Sequence, residues 1–322
     1  MIDAAWFAFL QQALHEHLAQ PLLFALGLGN YVEEAYEACG WLLLGLLQLG
    51  VLLLVLVPLE RWRPVERLTD RAAVRVDMLY TAIHRLGLFQ VGWFFLVQPF
   101  WDEWSGWLTV HGIVGWQLDT WLAPLWRGVT DQPWAVFVAY LVVLDFCDYW
   151  IHRGQHRWRW WWSLHALHHS QRQMTCFSDS RNHLLDDLLR DLILVQVSQC
   201  IGVAPGQFVL LVAARQLLEN LSHANLRLRL PAWVDGVVVT PGFHRVHHGI
   251  EWVPGRSGGA AGGCNFAVLF PLWDHLFGTA TPARRPGPTG IADQLPEGGG
   301  RDYGRGFWTQ QVLGVRRLFG RA

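Results

Sequence analysis

Residues 133–169 read PWAVFVAYLVVLDFCDYWIHRGQHRWRWWWSLHALHH, and the junction within this stretch decides the fold. From 133 to 151 the chain is apolar apart from Asp145 and Asp148, close to the ~20 residues that cross a bilayer's hydrocarbon core. It then runs directly into His152 and His156. Their i,i+4 spacing points both imidazoles to one helix face, as two ligands of one metal require. A spanning helix that delivers a histidine pair at its end predicts a metal site at a membrane face.

Upstream, residues 40–59 (GWLLLGLLQLGVLLLVLVPL) form an uncharged run of spanning length. The run ends in Glu60-Arg61-Trp62-Arg63-Pro64, and Arg67, Arg71 and Arg75 follow, which assigns this flank to the cytoplasm by the positive-inside rule. A second apolar run, about 76 to 101, carries His84 and Arg85 near its start and is expected to return the chain outward, leaving the Trp-rich stretch 101–126 at the opposite interface. Downstream, 184–221 is apolar but broken by Gly202-Val203-Ala204-Pro205-Gly206, the pattern of a helical hairpin. Its two crossings return His223 to the side of His152. The first 20 residues are expected to form an amphipathic surface helix, 280–305 a Pro/Gly-rich loop, and FWTQQVLGVRRLFGR an amphipathic helix at the membrane surface.

The predicted fold is therefore all-α: an integral membrane bundle of about four spans, two of them a hairpin, with a cytoplasmic histidine-rich helical cap. Three regions are expected, 1–132 (surface helix and spans), 133–280 (catalytic) and 281–322 (loop and terminal helix). Composition agrees. Of 322 residues 52% are hydrophobic and only 16% charged, against roughly 25% charged in soluble domains. The 20 Trp suit membrane–water boundaries. A net charge of -1 without a basic stripe excludes nucleic acid as a partner. The five cysteines stand singly, which excludes a disulfide framework or a thiolate metal site.

Ten of the 15 histidines fall between 152 and 248. His165-Ala-Leu-His168-His169 and His244-Arg-Val-His247-His248 share the form H-x-x-H-H. On a helix the outer histidines share a face while the adjacent pair diverges by roughly 100°, so one motif can serve two metals. Eight to ten imidazoles exceed the three or four ligands that one ion takes. Glu219 is the only glutamate between 104 and 250, which argues against the Glu-rich di-iron bundle, and no H-E-x-x-H occurs. Imidazole ligands suit iron, zinc or copper alike.

In order along the chain, Asp148-Tyr-Trp-Ile-His152-Arg-x-x-His156, Trp161-Trp-x-Leu-His165-x-x-His168-His169-Ser170, Arg181-Asn-His183, Leu221-Ser-His223-Ala-Asn225, Thr240-Pro-x-Phe-His244-x-Val-His247-His248, Asn265-Phe266 and Trp273-Asp274-x-x-Phe-Gly-Thr279 resemble the fatty acid hydroxylase and sterol desaturase superfamily of membrane-bound di-iron oxygenases. The resemblance covers about 135–280. It implies that His152, His156, His165, His168, His169, His244, His247 and His248 are catalytic metal ligands, joined by His223 and His183. Leu184 departs from the pattern, many members having proline after the histidine. Asp145, Asp148, Asn225 and Asp274 are expected to hold ligand rings from behind, because metal-bound imidazoles need such partners. The implied cofactors are two iron ions, for which zinc could substitute, with O2 as co-substrate.

The resulting expectation is hydroxylation of an unactivated C–H bond of a lipid. The chain carries no flavin, haem or iron–sulfur motif, so electrons are expected from a ferredoxin or cytochrome with its reductase. The alternatives are lipid or sterol desaturation and sterol-methyl oxidation, which begin with the same C–H abstraction, and, from another class, a metal transporter. Transporters place their ligands near mid-membrane. These motifs instead lie in Arg-rich flanks beyond the spans, which favours an enzyme in the inner membrane of a bacterium, its site facing the cytoplasm.

Overall fold

The structure, a computed structural model, describes residues 4–113, 115–126, 128–228, 230–231, 233–250, 263–281 and 287–321. Among these the regular structure is helical, with only two isolated β-bridges. Helix α1 (Ala4–Leu14) precedes the long α2 (Gly29–Trp62), which packs against α3 (Arg71–Arg85). Then come α4 (Leu88–Leu96), α5 (Gln98–Val110), α6 (Pro133–Arg157) and α7 (Arg159–His169). The hairpin is α8 (Leu184–Ile201) and α9 (Pro205–His223). Short α10 (Pro241–His247) and α11 (Leu272–Leu276) precede the terminal α12 (Phe307–Leu318).

Two of the described helices, α2 and α6, are long and apolar enough to cross a membrane. On α2, Leu46, Leu47, Val51, Leu53, Leu54 and Val55 are exposed. Each would forfeit roughly 1.5–3 kcal/mol by facing water, a loss that vanishes in lipid. The other face of α2 is packed: Leu52 and Leu56 join Cys176, Phe177, Ala224 and Leu226, and Gln48 donates to the Ala213 carbonyl and to Gln216. Helices α6, α8 and α9 share a core of Ala135, Val136, Tyr140, Leu144, Ile151, Leu194 and Leu211.

The apolar run 76–101 is not one crossing helix. It breaks at Gly87, whose φ of 78° is left-handed, and again before Gln98-Pro99, so that it comprises the end of α3, all of α4 and the start of α5. Nine residues of α4 span only about 13–14 Å at ~1.5 Å each. The 20-residue period count misses this because Gly and Pro punctuate without lowering hydropathy.

Helix α12 carries an inverted pattern. Its packed side is largely polar, Gln310, Gln311 and Arg317 being buried beside Phe307, while Trp308, Val312, Val315 and Phe319 are exposed. It lies against α7 and α3, Gln311 donating to Tyr80 Oη and to the Asn182 carbonyl.

Candidate metal centre

Four segments bring the histidines together. Helix α6 carries its apolar face into the bundle and ends with His152 and His156, after which Trp158 leaves helical geometry (ψ 120°) and turns the chain into α7. Helix α7 holds His165, His168 and His169. Helix α9 ends at His223, and α10 starts where Thr240, ahead of Pro241, caps it by accepting from the Phe243 N–H. Ser/Thr followed by proline is a local instruction to begin a helix.

The nine rings form two adjoining groups, His152, His156, His165, His169 and His247 in one and His168, His223, His244 and His248 in the other. Within each group the candidate ligand nitrogens lie within 4.8 Å of one another. The two H-x-x-H-H motifs divide in mirror fashion: His165 and His169 enter the first group and His168 the second, whereas His244 and His248 enter the second and His247 the first. That division follows from the ~100° between adjacent helical residues. None of the nine is more than 8% exposed, so water cannot solvate a charge there.

Several rings are held from behind. His152 Nδ1 donates to the Phe266 carbonyl at 2.8 Å, His247 Nδ1 to the Cys264 carbonyl at 2.7 Å, and His223 Nδ1 to the Glu219 carbonyl at 2.8 Å. His165 Nδ1 meets the Asp186 carboxylate at 2.9 Å. Since a carbonyl only accepts, each of these Nδ1 atoms carries the proton and Nε2 presents its lone pair to the cluster. Elsewhere Nε2 atoms face one another: His156 and His169 at 3.0 Å, His247 and His169 at 3.1 Å, His168 and His223 at 3.1 Å, His244 and His223 at 2.9 Å.

This donor set fits metal ions. Two nitrogens bound at right angles to one ion at about 2.0–2.1 Å stand about 3 Å apart. In the first group Nε2 of His152 and Nε2 of His165 are buried without a hydrogen-bond partner among the described residues. At roughly 1–3 kcal/mol each they would cost on the order of 2–6 kcal/mol, a large share of a domain's stability. A cation at the convergence would offset that cost. Burial, then the neighbouring imidazoles, hold His168, His169, His244 and His248 well below the ordinary histidine range. Burial pushes His247 down to about 3 even though its bond to Cys264 opposes it. Neutral rings are the form that binds metal.

His183 does not join either group. Its Nδ1 accepts from the Leu185 N–H and its Nε2 donates to the Gln311 carbonyl at 2.9 Å, so both nitrogens are engaged in capping α8 and seating α12. Asp145 and Asp148 do not touch an imidazole either. Asp145 accepts from the Leu269 and Phe270 N–H groups and from Trp273 Nε1. Asp148 pairs with Arg190 at 2.8 Å and Arg215 at 2.9 Å, and both arginines also reach Glu219. This buried network ties α6 to the hairpin beneath His223. Asn225 secures the Val65 and Glu66 amides, and Asp274 the Phe266 and Ala267 amides. A carboxylate that does hold a ring is Asp186, which also accepts from Gln155 and from buried Trp161. The sequence signal for it is an aspartate at the start of an apolar helix. The supporting carbonyls of Cys264, Phe266 and Glu219 leave no signal, since every residue has one.

Residues 137–279 match the family model described as fatty acid hydroxylase. The chain is similar to the ornithine lipid hydroxylase OlsE of Rhizobium tropici, 30% identical over 161 residues, which cover 49% of this chain and 46% of that protein. It is similar to the alkylglycerol monooxygenase of Xenopus tropicalis, 28% identical over 154 residues covering 48% and 32%. It is also similar to methylsterol monooxygenase 1-3 of Arabidopsis thaliana, 25% identical over 155 residues covering 45% and 47%. The chain spans less than half the length of each of these relatives. No solved structure matches it.

Proposed function

We propose, from the match of residues 137–279 to the fatty acid hydroxylase family model, that this protein is a membrane-embedded di-iron oxygenase that hydroxylates an unactivated C–H bond of a lipid. The observation that carries the reading is the pair of adjoining buried histidine groups whose lone pairs converge. In this assignment His152, His156, His165, His169 and His247 hold one ion and His168, His223, His244 and His248 the other. Two iron ions so placed supply the activation of O2, one oxygen atom going to substrate while two electrons and two protons reduce the other to water.

The chain's own part is to orient and to exclude. Phe266, Cys264, Glu219 and Asp186 fix ring tautomers, and the Asp148–Arg190–Glu219–Arg215 network fixes the end of α9. Trp162 lines the first group, its ring centroid 4.9 Å from that of His156 and 5.3 Å from that of His169, and helps keep water out. A lipid substrate agrees with the lipid-oxidising names of the relatives. The electron donor in this reading is a separate ferredoxin or cytochrome with its reductase. We place α2, α6 and the α8–α9 hairpin in a bacterial inner membrane as four spans, with the broken segment α3–α5 returning the chain across it between the end of α2 and the start of α6, the histidine groups at the Arg-rich cytoplasmic end and α12 lying on the surface through Trp308, Val312, Val315 and Phe319. The catalytic region is 133–280, between the membrane region 1–132 and the terminal region 281–322.

The test is iron analysis of anaerobically purified protein together with lipidomics of cells with and without it. About two irons per chain and a lipid that gains one oxygen are expected. A lipid that gains a double bond instead would move the assignment to desaturation, and a protein without bound metal would end it.

A further inference from the structure

Asn265 is the one described residue other than glycine with a positive φ, 57°. Left-handed geometry is costly for an ordinary residue, and asparagine is among the few side chains that tolerate it. Its surroundings account for the choice. The flanking residues are those whose carbonyls hold the first histidine group, Cys264 on His247 and Phe266 on His152. The peptide that carries the Cys264 carbonyl is pinned at its other end by the Asn265 N–H, which donates to the Thr279 carbonyl at 3.1 Å. The peptide that carries the Phe266 carbonyl is pinned by the Ala267 N–H on Asp274 at 2.8 Å.

The carboxamide binds three further points and is fully buried. Its Nδ2 donates to the Phe243 carbonyl at 3.0 Å and to the Thr281 carbonyl at 2.9 Å, and its Oδ1 accepts from the Thr281 N–H at 2.6 Å. Phe243 lies in α10, one residue before His244 and four before His247. Asn265 thus joins the helix that carries His247, the segment at 279–281 and the two carbonyls that aim His247 and His152.

We propose that Asn265 is a positioning residue for the metal centre: its left-handed backbone and three-point carboxamide set the Cys264 and Phe266 carbonyls, and through them the tautomer and direction of two imidazoles of the five-histidine group. The proposal rests on the reading of the histidine groups as a two-metal site. Its carbonyl-setting role falls on one ion: both carbonyls that flank Asn265 hold rings of the five-histidine group, whereas in the four-histidine group His223 rests on the Glu219 carbonyl and Asn265 reaches that group only through the Phe243 carbonyl beside His244.

The experiment is cobalt(II) titration of metal-free, detergent-solubilised full-length protein, followed by the ligand-field absorption and the number of ions bound per chain. Wild type is expected to bind about two ions. Asn265→Gly, which keeps the backbone conformation and removes the carboxamide, is expected to bind one ion at wild-type affinity and the other about 10–100-fold more weakly, the usual effect of losing a partner behind a ligand. Asn265→Asp, isosteric but without the Nδ2 donors, is expected to show the same selective weakening and serves if the glycine variant does not fold. Two ions bound at wild-type affinity by either folded variant, or equal weakening of both sites, would overturn the role given to Asn265. A wild-type protein that binds no cobalt would overturn the metal-centre reading beneath it.

Discussion

Residue by residue, the histidine motifs were the legible part of the site and their supports were not. Spacing alone predicts that an H-x-x-H-H motif splits between two groups, and His165, His168 and His169 divide in that way. It could not predict that His183 would spend both nitrogens on Leu185 and Gln311, since that depends on where α12 packs. His183→Ala is therefore expected to leave the metal content unchanged while lowering stability by about 1–3 kcal/mol for the buried partners it abandons; a loss of bound metal in the folded variant would contradict this. Asp186→Asn is expected to lower metal affinity about 10–100-fold by weakening the partner of His165 Nδ1, and calorimetric metal titration would measure it. Titration follows from burial. Because His168, His169, His244, His247 and His248 are held below their ordinary value, near 6.5, the unfolded chain binds more protons as pH falls below it. Their contribution to the stability of the metal-free protein is thus fully present above about pH 6.5 and is lost on acidification toward the folded values, about 3 for His247. Thermal unfolding between pH 7 and pH 4 should show a falling midpoint, and a rising one would refute the cause assigned.

Among the elements, hydropathy and punctuation located α2, α6 and the hairpin but joined α3, α4 and α5 into one run. The error has a physical source: a left-handed glycine at 87 and a proline at 99 end helices without changing how apolar the stretch is. Helix α12 illustrates the reverse case. Its amphipathic sequence is evident, yet only packing shows that the polar face is the buried one. Close approach fixes it there, since a Cβ on Gly314 would collide with the His183 ring. Gly314→Ala is accordingly expected to push α12 away from His183 and the start of α8 at a cost of about 1–3 kcal/mol, the usual penalty for overpacking. Replacing Trp308 and Phe319 with Ser should leave the fold intact and weaken the terminal region's contact with anionic vesicles, which protection from proteolysis at α12 in proteoliposomes would report.

For the molecule as a whole, the arrangement is a bundle that presents histidines from α6, α7, α9 and α10 to one buried place and backs them with carbonyls from the 264–266 segment. Composition and the order of motifs made the class of protein legible, because few chains combine so little charge with so many clustered imidazoles. The ion-pair network under His223 was not legible, as Asp148, Arg190, Arg215 and Glu219 come from three helices and meet only on folding. In the proposed assignment the two histidine groups hold two separate ions. The deciding measurement is iron per chain in anaerobically purified wild type, His247→Ala and His244→Ala, the last two removing a ring from the first and second group respectively. About two ions in wild type and about one in each variant are predicted; equal iron in all three proteins, or at most one ion in wild type, would contradict it.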